Sequence, residues 1–263
     1  MTLRDALLRG RRRPRRFGAG SPTIYRGDGY EFVELRAYVP GDDVRRIDWA
    51  ATARAGELQT RVVLEDVALT LAAVLDDTPS MHVGRHRSLF DAASDAVAAW
   101  FAAARSGDRR LRVAADHAAP PQHPVTAGFD LERALRTARA AVPRGTALLV
   151  ASDWFELHEE HDELLVALAQ WCDCTALVAR DPWFDGLPIG GFARIRGAEG
   201  GEIRAYIGRR ERDAYRRATH ARDAAIHARL ERCGWRSAPL HEDDGLRALA
   251  DAFGLHAIEV ARR

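Results

Sequence analysis

The chain has 263 residues, of which 47% are hydrophobic and 29% charged, and its formal net charge at pH 7 is +1. This balance is typical of a soluble globular protein with a full-sized core, and it provides no bulk attraction to polyanions. All 39 basic residues are arginine, because the sequence contains no lysine. The lack of lysine excludes a P-loop nucleotide site, Schiff-base chemistry and a lysine general base.

The N-terminal segment is strongly basic. Residues 1–20 carry seven arginines between Arg4 and Arg16 and lack the apolar stretch of a secretory signal. We predict a flexible basic arm, which is either a solvated tail or a contact for an acidic partner, a membrane or a nucleic acid. No apolar run in the chain approaches the roughly 20 residues of a membrane helix, so we expect a cytoplasmic protein without a membrane span. Three cysteines are too few for a disulfide framework, in keeping with a reducing compartment.

A small β-rich extension is expected over residues 21–66. Apolar and polar residues alternate from Val33 to Val39 and again from Leu58 to Leu64, as they do in half-buried strands. A Pro-Gly pair at 40–41 interrupts the pattern between them.

A core domain is expected over residues 67–208, where apolar runs of strand length alternate with segments of helical periodicity. The strand candidates are 67–75, 111–115, 146–151 and 175–179, and the helix candidates are 89–105, 131–142 and 158–171. This order predicts an α/β fold with a doubly wound, mostly parallel sheet and helices on both faces. Residues 209–263 are expected to complete the domain with helices at 209–232 and 245–253 and a short strand near 237–240.

Acidic residues follow three of the apolar runs, at Asp76, Asp153 and Asp181. The carboxyl ends of parallel strands form the functional crevice of such sheets. Thr78 and Ser80 alternate with Asp76, so a turning loop could direct one carboxylate and two hydroxyls at a single point. These ligands suit a hard cation such as Mg²⁺, which keeps several of its waters.

This Asp-x-Thr-x-Ser pattern resembles the metal-ion-dependent adhesion site of von Willebrand factor A domains, with Thr78 in place of the first serine. The resemblance implies a divalent cation, such as Mg²⁺, held by Asp76, Thr78, Ser80 and Asp153, with an open position that a partner's carboxylate fills. A site of this kind binds and does not catalyse. Phe129 stands where the family has a threonine ligand, so the site is a degenerate one, and only a shifted loop would bring Thr126 into that place.

The segment Glu31–Trp49, EFVELRAYVPGDDVRRIDW, resembles the hallmark of the family catalogued as domain of unknown function 58. That resemblance implies a von Willebrand factor A-like domain encoded beside a MoxR-type AAA+ ATPase, with a chaperone-like role in the assembly or maturation of client proteins. The hallmark residues expected to contact a partner are Arg36, Asp42, Asp43, Arg45, Arg46, Asp48 and Trp49. The same residues could instead form a charge-paired turn docked on the main domain, with Ile47 and Trp49 as apolar anchors.

Three other functions are alternatives. A phosphatase could use Asp76 as its nucleophile, but that pattern needs a second aspartate where Thr78 stands, and usually a lysine. A zinc site could be built from His158, His161 and the Cys172-x-Cys174 pair, but the spacing matches no standard finger. Binding of nucleic acid or another acidic partner would depend on the arginine arm alone. The function that the resemblance to domain of unknown function 58 implies, a non-enzymatic adaptor or co-chaperone, is therefore the one we expect.

Overall fold

The computed structural model describes residues 2–12, 31–39, 42, 44–64, 68–121, 129–197 and 200–256. These form two compact units, Arg16–Ala68 and a larger one that combines Met1–Arg15 with Leu69–Arg263. The helices are α1 (Leu3–Arg12), α2 (Trp49–Ala55), α3 (Leu89–Ala102), α4 (Leu131–Ala141), α5 (Asp162–Trp171), α6 (Arg209–Arg232) and α7 (Gly245–Ala252). The strands are β1 (Glu31–Ala37), β2 (Gln59–Leu64), β3 (Thr70–Leu75), β4 (Arg109–Val113), β5 (Ala118–Ala119), β6 (Ala147–Ser152), β7 (Asp173–Ala179), β8 (Gly191–Arg196), β9 (Glu202–Ile207) and β10 (Arg236–Leu240).

The larger unit is built on a six-stranded sheet in the order β10-β7-β6-β3-β4-β5. All neighbouring strands in it are parallel except β5, which is antiparallel to β4. The expected mixed α/β fold with a mostly parallel sheet is therefore confirmed. The strands are nearly continuous in apolar character because both faces of the sheet are covered, and all six residues of β6 are buried.

Helices pack on each face of this sheet. Alternate residues of β3 divide between two apolar clusters, with Leu71 and Ala73 in one and Ala72 and Val74 in the other. The first cluster takes its helical side chains from α1, α3 and α7, and the second takes them from α4, α5 and α6. The side chains of β3 thus contribute to both cores, as the period of two in a strand requires.

The prediction of a flexible N-terminal arm is wrong for Leu3–Arg12, because these residues form helix α1. Leu3 and Leu7, one helical turn apart, are buried in the first core cluster. Arg4 forms an ion pair with Asp108, and both side chains are almost fully buried. The apolar face of the segment therefore outweighs its arginines. Residues 13–20 of the predicted arm lie outside the described residues.

The smaller unit contains an antiparallel pair of strands, β1 and β2, in which Ala37 lies opposite Gln59. The connection between them includes helix α2, which begins after Asp48 and ends at Gly56 in the left-handed conformation. A second antiparallel hairpin, β8 and β9, belongs to the larger unit and was not expected from the sequence. Among the helices in the described part of the chain, none has the length and apolar character needed to cross a membrane.

Candidate functional site

Two neighbouring strands at the centre of the sheet deliver the candidate residues. Strand β3 leads into Asp76, and β6, which is paired beside it, ends at Ser152 and leads into Asp153. The chain leaves β3 towards β4 on one side of the sheet, whereas β6 leads to β7 on the other side. This divergence is a topological switch point, the place where open α/β sheets form a ligand crevice.

Asp76 is a buried carboxylate with three hydrogen bonds. The residue is only 2% exposed to solvent. Oδ1 accepts from the backbone N–H of Thr78 at 2.8 Å and from its hydroxyl at 2.6 Å. Oδ2 accepts from the hydroxyl of Ser152 at 2.6 Å. All three donors are neutral, so these bonds bring no positive charge to the carboxylate.

Ser80 extends this arrangement. Its Oγ lies 2.9 Å from Oγ1 of Thr78. Since the Thr78 hydroxyl donates its only proton to Asp76, the Ser80 hydroxyl acts as the donor in this contact. Thr78 precedes the short 3₁₀ helix Pro79–His82, and its side chain does not cap that helix. The loop thus places Asp76, Thr78 and Ser80 together, as the alternating spacing suggested.

Electrostatics disfavour the ionised form of Asp76. Burial raises the pKa of this carboxyl, while the hydrogen bonds from Ser152 and Thr78 act in the opposite direction. The neighbouring charge of Asp153 raises the pKa further. A buried carboxylate with a raised pKa and neutral donors is a group that a cation would stabilise in its ionised form.

Ser152 was not predicted from the sequence, in which Asp153 was the only residue at the end of β6 expected to join Asp76, Thr78 and Ser80. Leu75 lies opposite Ala151 in the parallel pair of β3 and β6, so Asp76 and Ser152 follow at adjacent positions on one face. Asp153 makes a local contact, in which its Oδ1 accepts from the backbone N–H of Phe155 at 2.8 Å. The period of two along β6 was the available signal, but its register against β3 is not visible in the sequence.

Trp154 holds the turn that follows β6. Its φ is +53°, a left-handed conformation that is rare for a bulky residue, and its side chain is fully buried. The indole N–H donates to the carbonyl of Leu177 at 3.2 Å, and the backbone N–H donates to the Ser152 hydroxyl at 3.1 Å. The ring meets Trp235 edge-on, with 5.6 Å between the centroids. This anchoring overcomes the backbone strain and fixes Ser152 and Asp153.

The side chains at this site offer the oxygen ligands that a hard cation prefers, although few of them are charged. Within the described residues, no group of three or more histidine, cysteine, aspartate or glutamate side chains is placed to hold a metal ion. A cation would therefore depend on Asp76 and the hydroxyls of Thr78 and Ser80, an all-oxygen set that suits Mg²⁺ with several waters. Phe129 is half-buried and packs against the second core cluster, so it supplies no ligand. Thr126 lies outside the described residues.

Asp181, the third carboxylate at a strand end, has other contacts. Its Oδ1 accepts from the backbone N–H of Trp183 at 2.7 Å and lies 3.5 Å from the hydroxyl of Tyr215. Burial, together with the charge of Asp181, raises the pKa of Tyr215 to about 12.

A cavity of about 230 Å³ lies beside the turn after β6, with Trp154, Phe155, Arg222 and Arg229 among its lining residues. The guanidinium of Arg222 lies 4.0 Å from the centre of the Phe155 ring. Burial lowers the pKa of Arg222, and the charge of Asp153 opposes that shift. The cavity thus combines an aromatic wall with positive charge close to Asp153.

The hallmark segment forms charge pairs within the smaller unit. Arg36 donates to Asp42 at 2.8 Å, and the second oxygen of Asp42 accepts from the backbone N–H of Val39 at 3.1 Å. Asp48 caps helix α2 by accepting from the N–H of Ala51 at 2.9 Å, and its other oxygen accepts from Arg61 at 2.8 Å.

Trp49 is not an anchor inside this unit, because it is the first residue of α2 and 69% exposed. Ile47 is partly buried and forms a bridge with Thr60. Arg45 and Arg46 follow Val44 in a 3₁₀ turn, and Asp43 lies outside the described residues.

Comparison with known proteins identifies the family. Residues 34–119 match the family described as "Protein of unknown function DUF58". Uncharacterized proteins of Mycobacterium bovis and Mycobacterium tuberculosis are 30% identical over 234 residues, which cover 79% of this chain and 73% of each relative. The chain belongs to the DUF58 family. The segment that matches DUF58 includes Asp42, Asp48, Asp76 and Asp108, whereas Ser152 and Asp153 lie beyond it.

One solved structure is also similar to this DUF58 protein. It is the crystal structure of the conserved hypothetical protein BatB from Bacteroides thetaiotaomicron, which is 16% identical. The similarity covers 71% of this chain and 96% of that one, with a TM-score of 0.42.

Proposed function

We propose that this protein is a non-enzymatic adaptor or co-chaperone that works in the cytoplasm with a MoxR-type AAA+ ATPase in the assembly or maturation of client proteins. The observation that carries the proposal is the buried Asp76 carboxylate at the switch point, hydrogen-bonded to Thr78 and Ser152. The partner proposal follows from the likeness of the hallmark segment to the MoxR-associated family. The edge formed by Asp76, Thr78, Ser80 and Asp153 faces the partner.

The larger unit is, in this proposal, a von Willebrand factor A-like domain with a degenerate metal-ion-dependent adhesion site. Support comes from the loop after β3, where the Thr78 hydroxyl lies within hydrogen-bonding distance of both the Asp76 carboxylate and the Ser80 hydroxyl. Support also comes from the position of Asp153 directly after the neighbouring strand, near enough for its charge to affect the pKa of Asp76.

Asp76, Thr78 and Ser80 would hold a divalent cation such as Mg²⁺, and Asp153 would add negative charge nearby. The cation, when bound, would offer an open coordination position to a carboxylate of the partner. Asp76 would contribute the buried negative charge, and Ser152 would orient its second oxygen. Trp154 would keep Ser152 in place through its buried indole.

The same geometry argues against a phosphatase that uses Asp76 as nucleophile. A phosphatase of that kind needs a second carboxylate two residues after its nucleophile to act as general acid and base. Thr78 occupies the position of the second aspartate of such enzymes and donates to Asp76 through two atoms.

The hallmark segment is proposed as a second contact with the partner. Asp42 and Asp48 are engaged in structural hydrogen bonds, so they would shape the turn rather than bind directly. The exposed side chain of Trp49 would supply apolar area to the contact, as aromatic residues do at interfaces.

Affinity capture from native extract tests the proposal. Wild-type protein should enrich an AAA+ ATPase, and Asp76→Ala should reduce that enrichment by about tenfold or more, a loss of about 1.4 kcal/mol of binding free energy. Asp77→Ala is the matched control, because Asp77 is the next residue but its side chain is 64% exposed and paired with His82. Failure to enrich any ATPase with wild-type protein would contradict the adaptor role. Equal enrichment by both variants would show that the Asp76 edge does not take part in binding the ATPase.

A further inference from the structure

The hairpin of β8 and β9 presents one face with an unusual composition. Directly opposed residues of an antiparallel pair lie on the same face, and successive pairs on that face are two residues apart. On this face Phe192 lies opposite Tyr206, Arg194 opposite Arg204, and Arg196 opposite Glu202. We call these six residues the hairpin face.

The hairpin face is open to solvent. Phe192 is 92% exposed and Tyr206 is 60% exposed, and the four charged residues of the face are also exposed. The two aromatic rings contact each other, with 5.2 Å between their centroids. A large apolar pair on an exposed strand surface, flanked by charges, is typical of an interaction site.

The charges of the hairpin face do not balance. Arg194 pairs with Glu202. Arg196 and Arg204 have no carboxylate within ion-pairing distance among the residues that the structure describes. Arg194 and Arg204 are directly opposed, and like charges in that position destabilise a hairpin. The face therefore carries a net positive charge at a cost in stability, which a bound anionic group would offset.

The aromatic geometry distinguishes between two kinds of polyanion. A single-stranded nucleic acid stacks successive bases on ring faces that are open to them. The rings of Phe192 and Tyr206 are inclined at 67°, edge to face, so they form one compact apolar patch rather than two parallel platforms. Such a patch beside arginines fits a polypeptide in which an apolar side chain is flanked by acidic ones.

We propose that the hairpin face binds an acidic segment of another protein, with an apolar side chain on Phe192 and Tyr206 and carboxylates on Arg194, Arg196 and Arg204. This surface contains none of the residues of the Asp76 edge, and the proposal goes beyond the function argued above. A segment of about six residues in extended conformation matches the roughly 20 Å length of β8.

Fluorescence anisotropy with the full chain tests the proposal. The probe is a labelled peptide of about twelve residues, twice the length of an ordinary strand, that alternates glutamate and leucine. We expect binding that weakens as salt rises, and about tenfold weaker binding for Phe192→Ser. A peptide that alternates lysine and leucine should not bind. Equal binding of the two peptides, no binding of the acidic one, or tighter binding of single-stranded oligothymidylate would overturn the proposal.

A second pair of variants separates lost binding from lost folding. Arg204→Thr removes the repulsion with Arg194, so it should bind the acidic peptide severalfold more weakly and yet unfold about 1–3 °C higher than wild type. Arg196→Thr is the matched control, because Arg196 lies opposite Glu202 and its replacement relieves no like-charge pair. Its binding should also fall without that rise in Tm. Unchanged binding in both variants, or a lower Tm for Arg204→Thr than for Arg196→Thr, would overturn the inference.

Discussion

The hydroxyl of Ser152 donates a 2.6 Å hydrogen bond to the buried carboxylate of Asp76, although the two residues are 76 positions apart in the chain. The bond joins the ends of two neighbouring parallel strands, β3 and β6, at the point where the chain leaves them in opposite directions. A polar pair buried at this place is a feature that function explains better than stability does, since burying a carboxylate among neutral donors is costly.

The cost of burying the Asp76 carboxylate can be measured with the variant Asp76→Asn, in protein freed of cations by a chelator. Burial raises the pKa of Asp76, which means that its environment disfavours the ionised carboxylate. An amide of the same shape lacks the charge, and we expect the variant to unfold in urea at a midpoint equal to or above that of wild type. Asp77→Asn, at an exposed neighbour, should leave the midpoint unchanged. A clear loss of stability in Asp76→Asn alone would mean that the hydrogen bonds already satisfy the charge.

Trp154 offers a test of backbone strain. Trp154→Ala removes a fully buried indole and should lower the free energy of unfolding by about 3–5 kcal/mol. Trp154→Gly removes the same side chain but adopts a φ of +53° freely, so it should be about 1 kcal/mol more stable than the alanine variant. Phe155→Ala, at a residue 63% exposed, should cost less than about 1 kcal/mol. Urea denaturation of the three variants decides, and an alanine variant more stable than the glycine one would rule out strain at this position.

The carboxyl group of Asp108 should make the stability of the folded protein depend on pH in the acid range. Burial opposes its ionisation, but hydrogen bonds from Arg4 and from the N–H groups of Arg105 and Leu69 outweigh it and hold the pKa below its ordinary value. A carboxyl with a depressed folded-state pKa stabilises the protein above the unfolded-state pKa of about 3.9, and that contribution is lost as pH falls through the folded-state pKa. Asp108→Asn should therefore cost about 1–3 kcal/mol at neutral pH, with the difference from wild type shrinking below about pH 4.

Unfolding of wild type and Asp108→Asn over a series of pH values measures this difference. Asp116→Asn serves as the control, because its partner His117 lies at the surface and both side chains are exposed. A gap between wild type and Asp108→Asn that stays constant down to the lowest pH would show that the ionised form of Asp108 is not what stabilises the fold.

Gly245, which has no side chain, allows α7 to lie close against α3. A Cβ on Gly245 would overlap the backbone carbonyl of Ala92, which cannot move without distorting α3. We expect Gly245→Ala to destabilise the protein by about 2 kcal/mol or more. Gly254→Ala is the comparison, since nothing lies within 4 Å of a Cβ there and only its φ of +62° is unfavourable, at about 1 kcal/mol. If the two variants unfold at the same temperature, the contact between α7 and α3 is looser than the structure indicates.

The sheet was predictable because its strands are buried on both faces and read as unbroken apolar runs, as in β6. The loop after β3 was predictable from the alternation of Asp76, Thr78 and Ser80. Helix α1 was not predictable, because the four arginines of Leu3–Arg12 obscure the one-turn spacing of Leu3 and Leu7. The β8–β9 hairpin was missed although both of its strands alternate apolar and polar residues, because each strand spans only six residues and neither contains a continuous apolar run.

The contribution of Ser152 could not be read from the sequence for a different reason. It depends on the register that sets Leu75 against Ala151, and register is a property of the assembled sheet. The left-handed backbone of Trp154 is likewise set by tertiary contacts of the indole, since local sequence preference would place a glycine or asparagine there.

Calorimetric titration of Mg²⁺ into chelator-treated protein measures whether the Asp76 edge binds a divalent cation. We expect one saturable site in wild type, the same site in Asp77→Asn, and none in Asp76→Asn. Absence of binding by wild type, or equal binding by wild type and Asp76→Asn, would contradict this expectation.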